Sequence, residues 1–204
     1  MGVDFLPVSK VETNVTGSSQ QELLEQLQIE HNDSCPHCTQ ETGYTQTVFG
    51  AGNPCASLMF IGEAPGAEED ACGEPFVGAA GQKLNEIIQA IGLTREEVYI
   101  ANVLKSRPPQ NRTPLPTEIQ ACGPYLKKQI EIIQPDVIVT LGSPATKYIL
   151  DTDQGITKIR GLWNSYNDIP VLPTYHPAYL LRNYTTEVRG QVWVDMQEVI
   201  SKLP

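Results

Sequence analysis

The sequence lacks the features that would place the protein in a membrane or outside the cell. It contains no apolar run near the roughly 20 residues that cross a bilayer. Its first residues do not join a basic start to an apolar stretch, so no secretory signal is expected. Its five cysteines are an odd number with one close pair, which is not typical of a disulfide framework. These absences predict a cytoplasmic protein with reduced thiols and no membrane partner.

The chain also lacks an excess of basic residues, since its formal net charge is −10. Taken alone, this charge argues against a nucleic-acid-binding protein. DNA responds to the local field of the surface that it contacts, and the central and late segments concentrate their bases. These bases are Lys105, Arg107, Arg112, Lys158, Arg160, Arg182 and Arg189. The bulk charge therefore leaves DNA binding open, provided that the acidic protein has a basic face.

The hydrophobic pattern predicts one α/β domain. A length of 204 residues suits a single domain, which we place at 19–204 after a flexible tail at 1–18. Short apolar runs that favour buried strands lie at 57–62, 98–105, 136–142 and 169–177. Segments with helical spacing lie at 19–31, 79–91, 117–133 and 185–202, and Pro144 opens one more helix. This alternation predicts a three-layer α/β/α sandwich with a central four-stranded parallel sheet.

Unusual residues follow the predicted strands, at the edge of the sheet where α/β folds bind ligands. Glu63 lies in the turn GEAPG after the first strand, Asn102 ends the second, and His176 follows the fourth. An amide can read the edge of a pyrimidine because it both donates and accepts, and a histidine can donate to a developing anion. Phe76 could stack on a base or lie in the core. Taken singly, each residue is more often an ordinary turn, cap or core residue.

The order and spacing of these segments decide between the two interpretations, because together they resemble the iron–sulfur, or family 4, uracil-DNA glycosylases. The matching segments span residues 35–200 in order. They are TVFGAGNP at 47–54, LMFIGEAPGAEED at 58–70, GEPFVGAAGQ at 73–82, VYIANVLK at 98–105, RPPQNRTPLP at 107–116 and LPTYHPAYLLR at 172–182. The resemblance implies a monofunctional repair enzyme that flips uracil out of DNA and hydrolyses its N-glycosidic bond, leaving an abasic site.

The resemblance also implies a role for each matching residue. Glu63 would orient the hydrolytic water or support the cationic sugar, and Asp70 would assist it. Phe76 would stack on uracil, Asn102 would bind its edge and reject cytosine, and His176 would stabilise charge on uracil O2. Three turn residues would line the uracil site, and these are Gly62, Ala64 and Gly66.

Four further residues are expected to contact the DNA strand. Leu180, or a neighbour in the segment AYLLR, would wedge into the vacated base stack. Arg107, Arg112 and Arg182 would meet phosphates. The chain lacks the long basic insertion with a reactive histidine that marks a related branch, so covalent capture of the abasic site is not expected. We expect the enzyme to act as a monomer on uracil-containing DNA.

The cysteines depart from the family pattern at one position. Four cysteines hold a 4Fe–4S cluster in the family; Cys35, Cys38 and Cys122 match three of them, and Ser106 stands at the other. We expect a cluster held by these four residues, with a structural role. Two alternatives stay open: Cys55 or Cys72 replaces the missing thiolate, or the cluster is absent or partial.

Two other functions compete with the glycosylase. One is a non-catalytic, DNA-binding iron–sulfur protein on the same scaffold, against which Glu63, Asn102 and His176 argue. The other is a hydrolase of free nucleotides. The basic loops PPQNR and YLLR favour a polymer instead, since phosphate contacts supply most of the affinity for DNA.

Overall fold

The computed structural model describes residues 17–41 and 43–204. The strands in this part of the chain form one sheet of six, in the order β1-β3-β2-β4-β6-β5. Their bounds are Ala51–Gly52 for β1, Leu58–Gly62 for β2, Tyr99–Asn102 for β3, Val137–Leu141 for β4, Asn164–Tyr166 for β5 and Ile169–Thr174 for β6. The four central strands are parallel, as the sequence predicts, and the short edge strands β1 and β5 are antiparallel. The central four-stranded parallel sheet is therefore confirmed, and the structure adds one short strand at each edge.

Helices connect the strands and follow the last of them. Their bounds are Gly17–Ser34 for α1, Ala67–Cys72 for α2, Ala79–Ala90 for α3, Pro116–Ile133 for α4, Ser143–Leu150 for α5, Ile156–Ile159 for α6, Pro177–Arg182 for α7 and Thr186–Lys202 for α8. A 3₁₀ turn covers Pro109–Asn111. Since α1 begins at Gly17, the last two residues of the expected tail belong to a helix, and residues 1–16 lie outside the described part. Within the described ranges, no helix combines the length and apolarity needed to cross a bilayer.

The sheet separates two apolar clusters, which confirms the three-layer architecture. Side chains alternate along a strand, so Met59 and Ile61 of β2 join one cluster while Leu58 and Phe60 join the other. The first cluster is completed by α1, α4 and α5, and the second by α3, α7 and α8. Every residue of β2 and β4 is buried, as expected for parallel strands that are covered on both faces.

The parallel strands bring distant residues to one edge of the sheet. Gly62, the last residue of β2, lies opposite Asn102, the last residue of β3. Thr174 ends β6 two residues before His176, which forms the N-cap of α7. The turns after these strands, with the loop that enters α3, build the candidate site.

Candidate active site

A pocket of about 350 Å³ opens at the carboxyl edge of the sheet. Its walls include Glu63 from the turn after β2, Phe76 from the loop before α3, Asn102 from β3 and His176 from the start of α7. Ala64 and Gly66 contribute from the same turn as Glu63. The fold therefore brings together four side chains from positions between 63 and 176, and three of them lie at strand ends, as the sequence predicts.

Asn102 carries the most informative atom of the pocket. The residue is only 1% exposed, yet its side-chain Oδ1 is a buried atom without a hydrogen-bond partner among the described residues. Leaving such an acceptor unpaired costs about 1–3 kcal/mol. A ligand with a suitably placed N–H group would recover that energy by donating to Oδ1. The pocket is therefore shaped for a ligand that donates a hydrogen bond at this point.

Gly62 allows this arrangement because it has no side chain. A Cβ at this position would lie 2.3 Å from Oδ1 of Asn102 and 2.5 Å from the ring of Phe76. Both distances are too short for any non-glycine residue. Gly62 thus does not bind a ligand through a side chain; its role is to leave room for the amide and the aromatic ring.

Phe76 holds an unusual backbone conformation, with φ 54°. Non-glycine residues rarely adopt this left-handed region. The ring is buried, and its centroid lies 5.6 Å from that of the His176 ring at an interplanar angle of 33°. The side chain meets both the second apolar cluster and the pocket, so a place in the core does not prevent the ring from facing a ligand.

Two residues that the sequence does not single out hold the Phe76 loop in place. Oε1 of Glu69 accepts hydrogen bonds at 3.0 Å from the backbone N–H groups of Val77 and Gly78, while its Oε2 accepts one from Gly66 at 3.0 Å. Arg95 donates to the carbonyl of Phe76 at 3.1 Å, and it also donates to the carbonyl of Pro75. One carboxylate thus joins the two loops of the pocket, and one guanidinium fixes the aromatic residue from behind.

His176 is fixed in one protonation state by its surroundings. Its Nδ1 accepts a hydrogen bond from the backbone N–H of Ala178 at 3.1 Å. Burial, together with the nearby positive charge of Arg182, lowers the pKa of His176 to about 4. At neutral pH the ring is therefore uncharged and carries its proton on Nε2. That tautomer presents a hydrogen-bond donor to the pocket, which suits a developing anion.

Glu63 is one of two carboxylates in the wall of the pocket, and Glu69 is the other. The side chain of Glu63 is half-buried, and burial raises its pKa above the ordinary value. It also lines an adjoining cavity next to His176 and Arg182. A carboxylate in this place attracts a nearby positive charge strongly, because little water surrounds it to screen the interaction.

Asp70 does not lie among the residues that line the pocket. Its buried carboxylate accepts hydrogen bonds from the backbone N–H groups of Thr45, at 2.6 Å, and Gln46, at 3.3 Å. Arg107 lies 3.9 Å away on its other oxygen. Asp70 therefore anchors the loop at 45–46, and we do not retain it as a catalytic residue.

The three arginines expected to contact DNA differ in the side-chain partners that they have within the protein. Arg112 forms two hydrogen bonds to the carboxylate of Glu118, at 2.5 and 2.8 Å, and Arg107 donates to the side chain of Asn111 at 2.6 Å. Arg182 is exposed at the rim of the pocket, and it takes part in none of the ion pairs of the described residues. Of the three, Arg182 is thus the best placed to meet a phosphate.

Leu180, the first residue expected as the wedge, is buried in the structure. It is 3% exposed and packs in the second apolar cluster, because α7 turns that side chain toward α3 and α8. The next residue, Leu181, is 43% exposed. A helix rotates about 100° per residue, which is sufficient to move one leucine into the core and its neighbour into solvent. Among the residues of AYLLR, Leu181 is therefore better exposed than Leu180 to serve as the wedge.

Comparison with known proteins identifies the family. The family model for the uracil DNA glycosylase superfamily matches residues 49–197. The chain is 45% identical over 190 residues to the type-4 uracil-DNA glycosylase of Thermotoga maritima, covering 90% of this chain and 96% of that one. It is 50% identical over 159 residues to the type-4 enzyme of Sulfurisphaera tokodaii, covering 74% of this chain and 72% of that one. The chain belongs to the type-4 uracil-DNA glycosylases.

This glycosylase also contains a buried group of metal-binding side chains on the opposite side of the sheet core from Phe76. Cys35 and Cys38 follow the end of α1, Cys122 lies in α4, and all three thiols are buried. Sγ of Cys38 lies 3.8 Å from Sγ of Cys122 and 3.3 Å from Oγ of Ser106. The fourth side chain of the group is His31, whose ligand atom and those of the three cysteines all lie within 4.8 Å of one another.

Of the three thiols, Cys35 has a lowered pKa and favours the thiolate form, while the pKa values of Cys38 and Cys122 are raised. Hydrogen bonds from the Cys122 and Cys38 thiols lower the pKa of Cys35, and donating to Cys35 raises the pKa of Cys122. Since thiolates are the form that binds metal, three converging buried thiols fit a metal or iron–sulfur centre. Cys55 and Cys72 are exposed and bond instead to Gln20 and to the carbonyl of Glu69. They are therefore not the replacements that the sequence left open.

Lys105 connects this group with the pocket of the glycosylase. Its backbone N–H donates to Sγ of Cys122 at 3.2 Å, and its fully buried Nζ donates to the backbone carbonyl of Asn102 at 2.8 Å. Nζ also donates to the side chain of Gln129 at 2.5 Å. Burial lowers the pKa of Lys105 to about 7. One side chain thus ties the end of β3, where uracil recognition is expected, to α4 and the cysteines.

Proposed function

We propose that this uracil-DNA glycosylase recognises uracil through Asn102 and Phe76 and cleaves its N-glycosidic bond with Glu63 and His176. The observation that carries the proposal is the buried, unpartnered Oδ1 of Asn102 beside the ring of Phe76. The family membership supports the reaction, and the pocket supports the assignment of residues to its steps.

Recognition follows from the donor and acceptor pattern of the base. Uracil carries an N–H donor at N3 next to a carbonyl acceptor at O4, which complements Oδ1 and Nδ2 of Asn102. Cytosine carries a lone pair at N3 and an amino group at C4, so both contacts become repulsive. Oδ1 would then stay unpaired inside the protein, at a cost of about 1–3 kcal/mol. The amide thus selects uracil partly by rejecting cytosine.

Cleavage requires two opposite charges to be stabilised. When the bond between C1′ and N1 breaks, its electron pair leaves with uracil, which becomes an anion with charge on O2. The Nε2–H group of His176 donates to that oxygen, and the carboxylate of Glu63 supports the cationic sugar and orients the water that adds to C1′. Both interactions strengthen as charge develops, so they stabilise the transition state more than the bound substrate. The products are free uracil and an abasic site.

Access to the base requires extrusion from the duplex. Flipping a nucleotide costs a few kcal/mol, and an apolar side chain that occupies the vacated stack offsets part of that cost. Leu181 is exposed on α7, which begins at His176, so the wedge and the catalytic histidine share one rigid element. Arg182, the next residue, is placed to hold a phosphate beside the flipped nucleotide.

The buried group around the cysteines would hold a 4Fe–4S cluster. Cys35, Cys38 and Cys122 supply three thiolates, and the donor set fits such a cluster because thiolate is its preferred ligand. The cluster would supply a structural cross-link between the end of α1 and α4. Lys105 contacts both Cys122 and the carbonyl of Asn102, so the cross-link would also help to position Asn102. Recognition and cleavage themselves are assigned to protein residues.

The proposal is tested by the products released from a DNA oligonucleotide with one uracil. Free uracil and an intact strand with one abasic site should appear, and binding should weaken steeply with added salt because phosphate contacts release counterions. Deoxyuridine monophosphate serves as the matched substrate without a polymer. Equal turnover of that nucleotide, or a shallow response to salt, would favour a hydrolase of free nucleotides. Tight binding without any uracil release would favour the non-catalytic DNA-binding protein.

A further inference from the structure

We infer that His31, through Nε2, is the fourth protein ligand of the iron–sulfur cluster, and that Ser106 is not a ligand. The inference rests on the cluster of the proposed function and concerns only the residues that hold it. It assigns a role to a histidine in α1 that precedes the motifs from which the family resemblance was drawn.

The position of His31 follows from α1. The helical hydrogen bonds continue past the end of the helix, since the backbone N–H of Cys35 donates to the carbonyl of His31 at 2.9 Å. Residues four apart on a helix share one face, so His31 and Cys35 point to the same side. Nε2 of His31 lies 3.8 Å from Sγ of Cys122. The imidazole therefore enters the group of thiols from the helix that also supplies Cys35.

The other ring nitrogen of His31 is held in the state that a ligand needs. Nδ1 lies 3.0 Å from Oδ1 of Asn32, and the same oxygen accepts a hydrogen bond from the hydroxyl of Thr47 at 2.9 Å. The side-chain carbonyl oxygen of an amide can only accept, so Nδ1 carries the proton and Nε2 presents a lone pair to the sulfur atoms. Metal-binding histidines are typically fixed in this way by an acceptor on their second nitrogen.

A purely structural role explains the contacts of His31 less completely. The ring is fully buried and packs edge-on against Tyr125, with centroids 4.8 Å apart. An aromatic core residue would need no nitrogen here. Nε2 lies 3.8 Å from the Cys122 sulfur, which is a weak hydrogen-bond partner. A buried nitrogen that faces three thiols is better explained as a ligand.

Ser106 differs from His31 because its hydroxyl forms hydrogen-bond contacts with neighbouring side chains. Its buried hydroxyl lies 3.2 Å from Nε2 of His37 and 3.3 Å from Sγ of Cys38. A serine binds metal strongly only after it loses its proton, whereas imidazole binds in its neutral form. Imidazole also replaces cysteine on iron in the Rieske centres. The hydroxyl therefore serves as a hydrogen-bond partner to Cys38 and His37 while His31 completes the ligand set.

The test is a nitrogen signature read from the cluster itself. The whole chain is purified without oxygen, its iron, labile sulfide and zinc are measured, and the reduced cluster is examined by pulsed electron paramagnetic resonance. Protein grown with ¹⁵N-histidine should show a coupling that changes with the isotope. The coupling should persist in Ser106→Ala and disappear in His31→Cys, which offers a fourth thiolate and should still bind iron and sulfide.

Two further variants keep the assignment testable if one variant folds poorly. His31→Phe keeps an aromatic ring against Tyr125 and should lose most of its iron. Asn32→Ala leaves the buried ring in place but removes the acceptor of Nδ1, and it should weaken iron retention by roughly 10- to 100-fold.

The inference is overturned if the wild-type cluster shows no histidine coupling, if the coupling survives in His31→Cys, or if Ser106→Ala loses the cluster while His31→Phe keeps it. A protein that contains zinc and no sulfide also overturns it. The signal does not depend on catalysis. A wild-type protein that shows the coupling but releases no uracil would support the ligand assignment and contradict the proposed reaction.

Discussion

Replacing His176 with asparagine separates the two roles that the structure gives to this ring. Nδ1 of His176 caps α7 by accepting the N–H of Ala178 at 3.1 Å, and Nε2 is left to donate into the pocket. An asparagine oxygen can take over the cap, but the shorter side chain cannot reach the position of Nε2 at the same time. Alanine, by contrast, removes both the cap and the donor.

The two roles differ in magnitude and in the quantity that they affect. Loss of one donor to a developing oxyanion lowers kcat by about 10²–10³, or about 2.7–4 kcal/mol. Loss of a helix cap lowers the free energy of unfolding by about 0.5–2 kcal/mol. His176→Asn should therefore lower kcat by this factor and keep the wild-type free energy of unfolding. His176→Ala should lose a similar factor in rate and, in addition, the energy of the cap.

The assay measures single-turnover uracil release, affinity for uracil-containing DNA and urea unfolding on the same preparations. Affinity should change far less than the rate, because the donor acts mainly in the transition state. Near-wild-type turnover in His176→Asn would refute the role at the leaving group, since the loss in His176→Ala would then come from a frayed α7. Equal losses of rate and affinity in both variants would refute it as well.

Four other variants test the remaining assignments. Asn102→Asp should reduce the preference for uracil over cytosine by about 1–3 kcal/mol, measured as a ratio of kcat/KM values. Phe76→Ala should weaken binding of uracil-containing DNA by about 1–3 kcal/mol. Leu181→Ala should slow release from double-stranded DNA more than from single strands, because only the duplex must be opened. Glu63→Gln should lose most of the rate, and it should be more resistant to heat at neutral pH because a buried charge is gone.

The pH profile gives Glu63 a second signature. Burial raises its pKa, so the carboxylate is lost at a higher pH than usual, and the wild-type rate should fall as the pH drops through that raised value. His176, with a pKa of about 4, stays neutral over the same range. An acidic limb that survives in Glu63→Gln would assign the titration to another group.

The other three assignments have contradicting outcomes of their own. The role of Phe76 is contradicted by full activity in Phe76→Ala, and that of Asn102 by an unchanged base preference in Asn102→Asp. The role of Leu181 is contradicted if Leu181→Ala loses equal activity on double-stranded and single-stranded DNA.

The parallel core of the fold could be predicted because its strands are buried on both faces. All five residues of β2 and of β4 are buried, which produces continuous apolar runs. The edge strands β1 and β5 span only two and three residues and are partly exposed. So short a stretch has no recognisable periodicity, and its pairing depends on the neighbouring strand.

The pocket could be predicted where its residues follow strand ends, and not where they act through distant contacts. Glu63, Asn102 and His176 are placed by the sheet, whose carboxyl edge the sequence already indicates. Arg95 reaches Phe76 across 19 residues, and nothing in its local sequence marks that contact. Glu69 does have a local signal, because it stands three residues after Gly66 in the spacing of a capping box.

Two expected site residues, Leu180 and Asp70, are engaged within the protein for simple physical reasons. Leu180 and Leu181 are chemically identical, and only the rotation of a six-residue helix decides which one is buried. Asp70 belongs to a shared motif, but its carboxylate accepts hydrogen bonds from the backbone N–H groups at 45–46. His31 had an available signal: it stands four residues before Cys35 at the end of a predicted helix, a spacing that places both side chains on one face.

The most direct test of the whole account compares base release from two oligonucleotides that differ at one position, deoxyuridine in one and deoxycytidine in the other. The account predicts stoichiometric uracil and an abasic site from the first and no base from the second, because the unpartnered Oδ1 of Asn102 accepts only from the N3–H of uracil. Release of cytosine at a comparable rate, or no release from either strand by a folded protein that binds both, would contradict it.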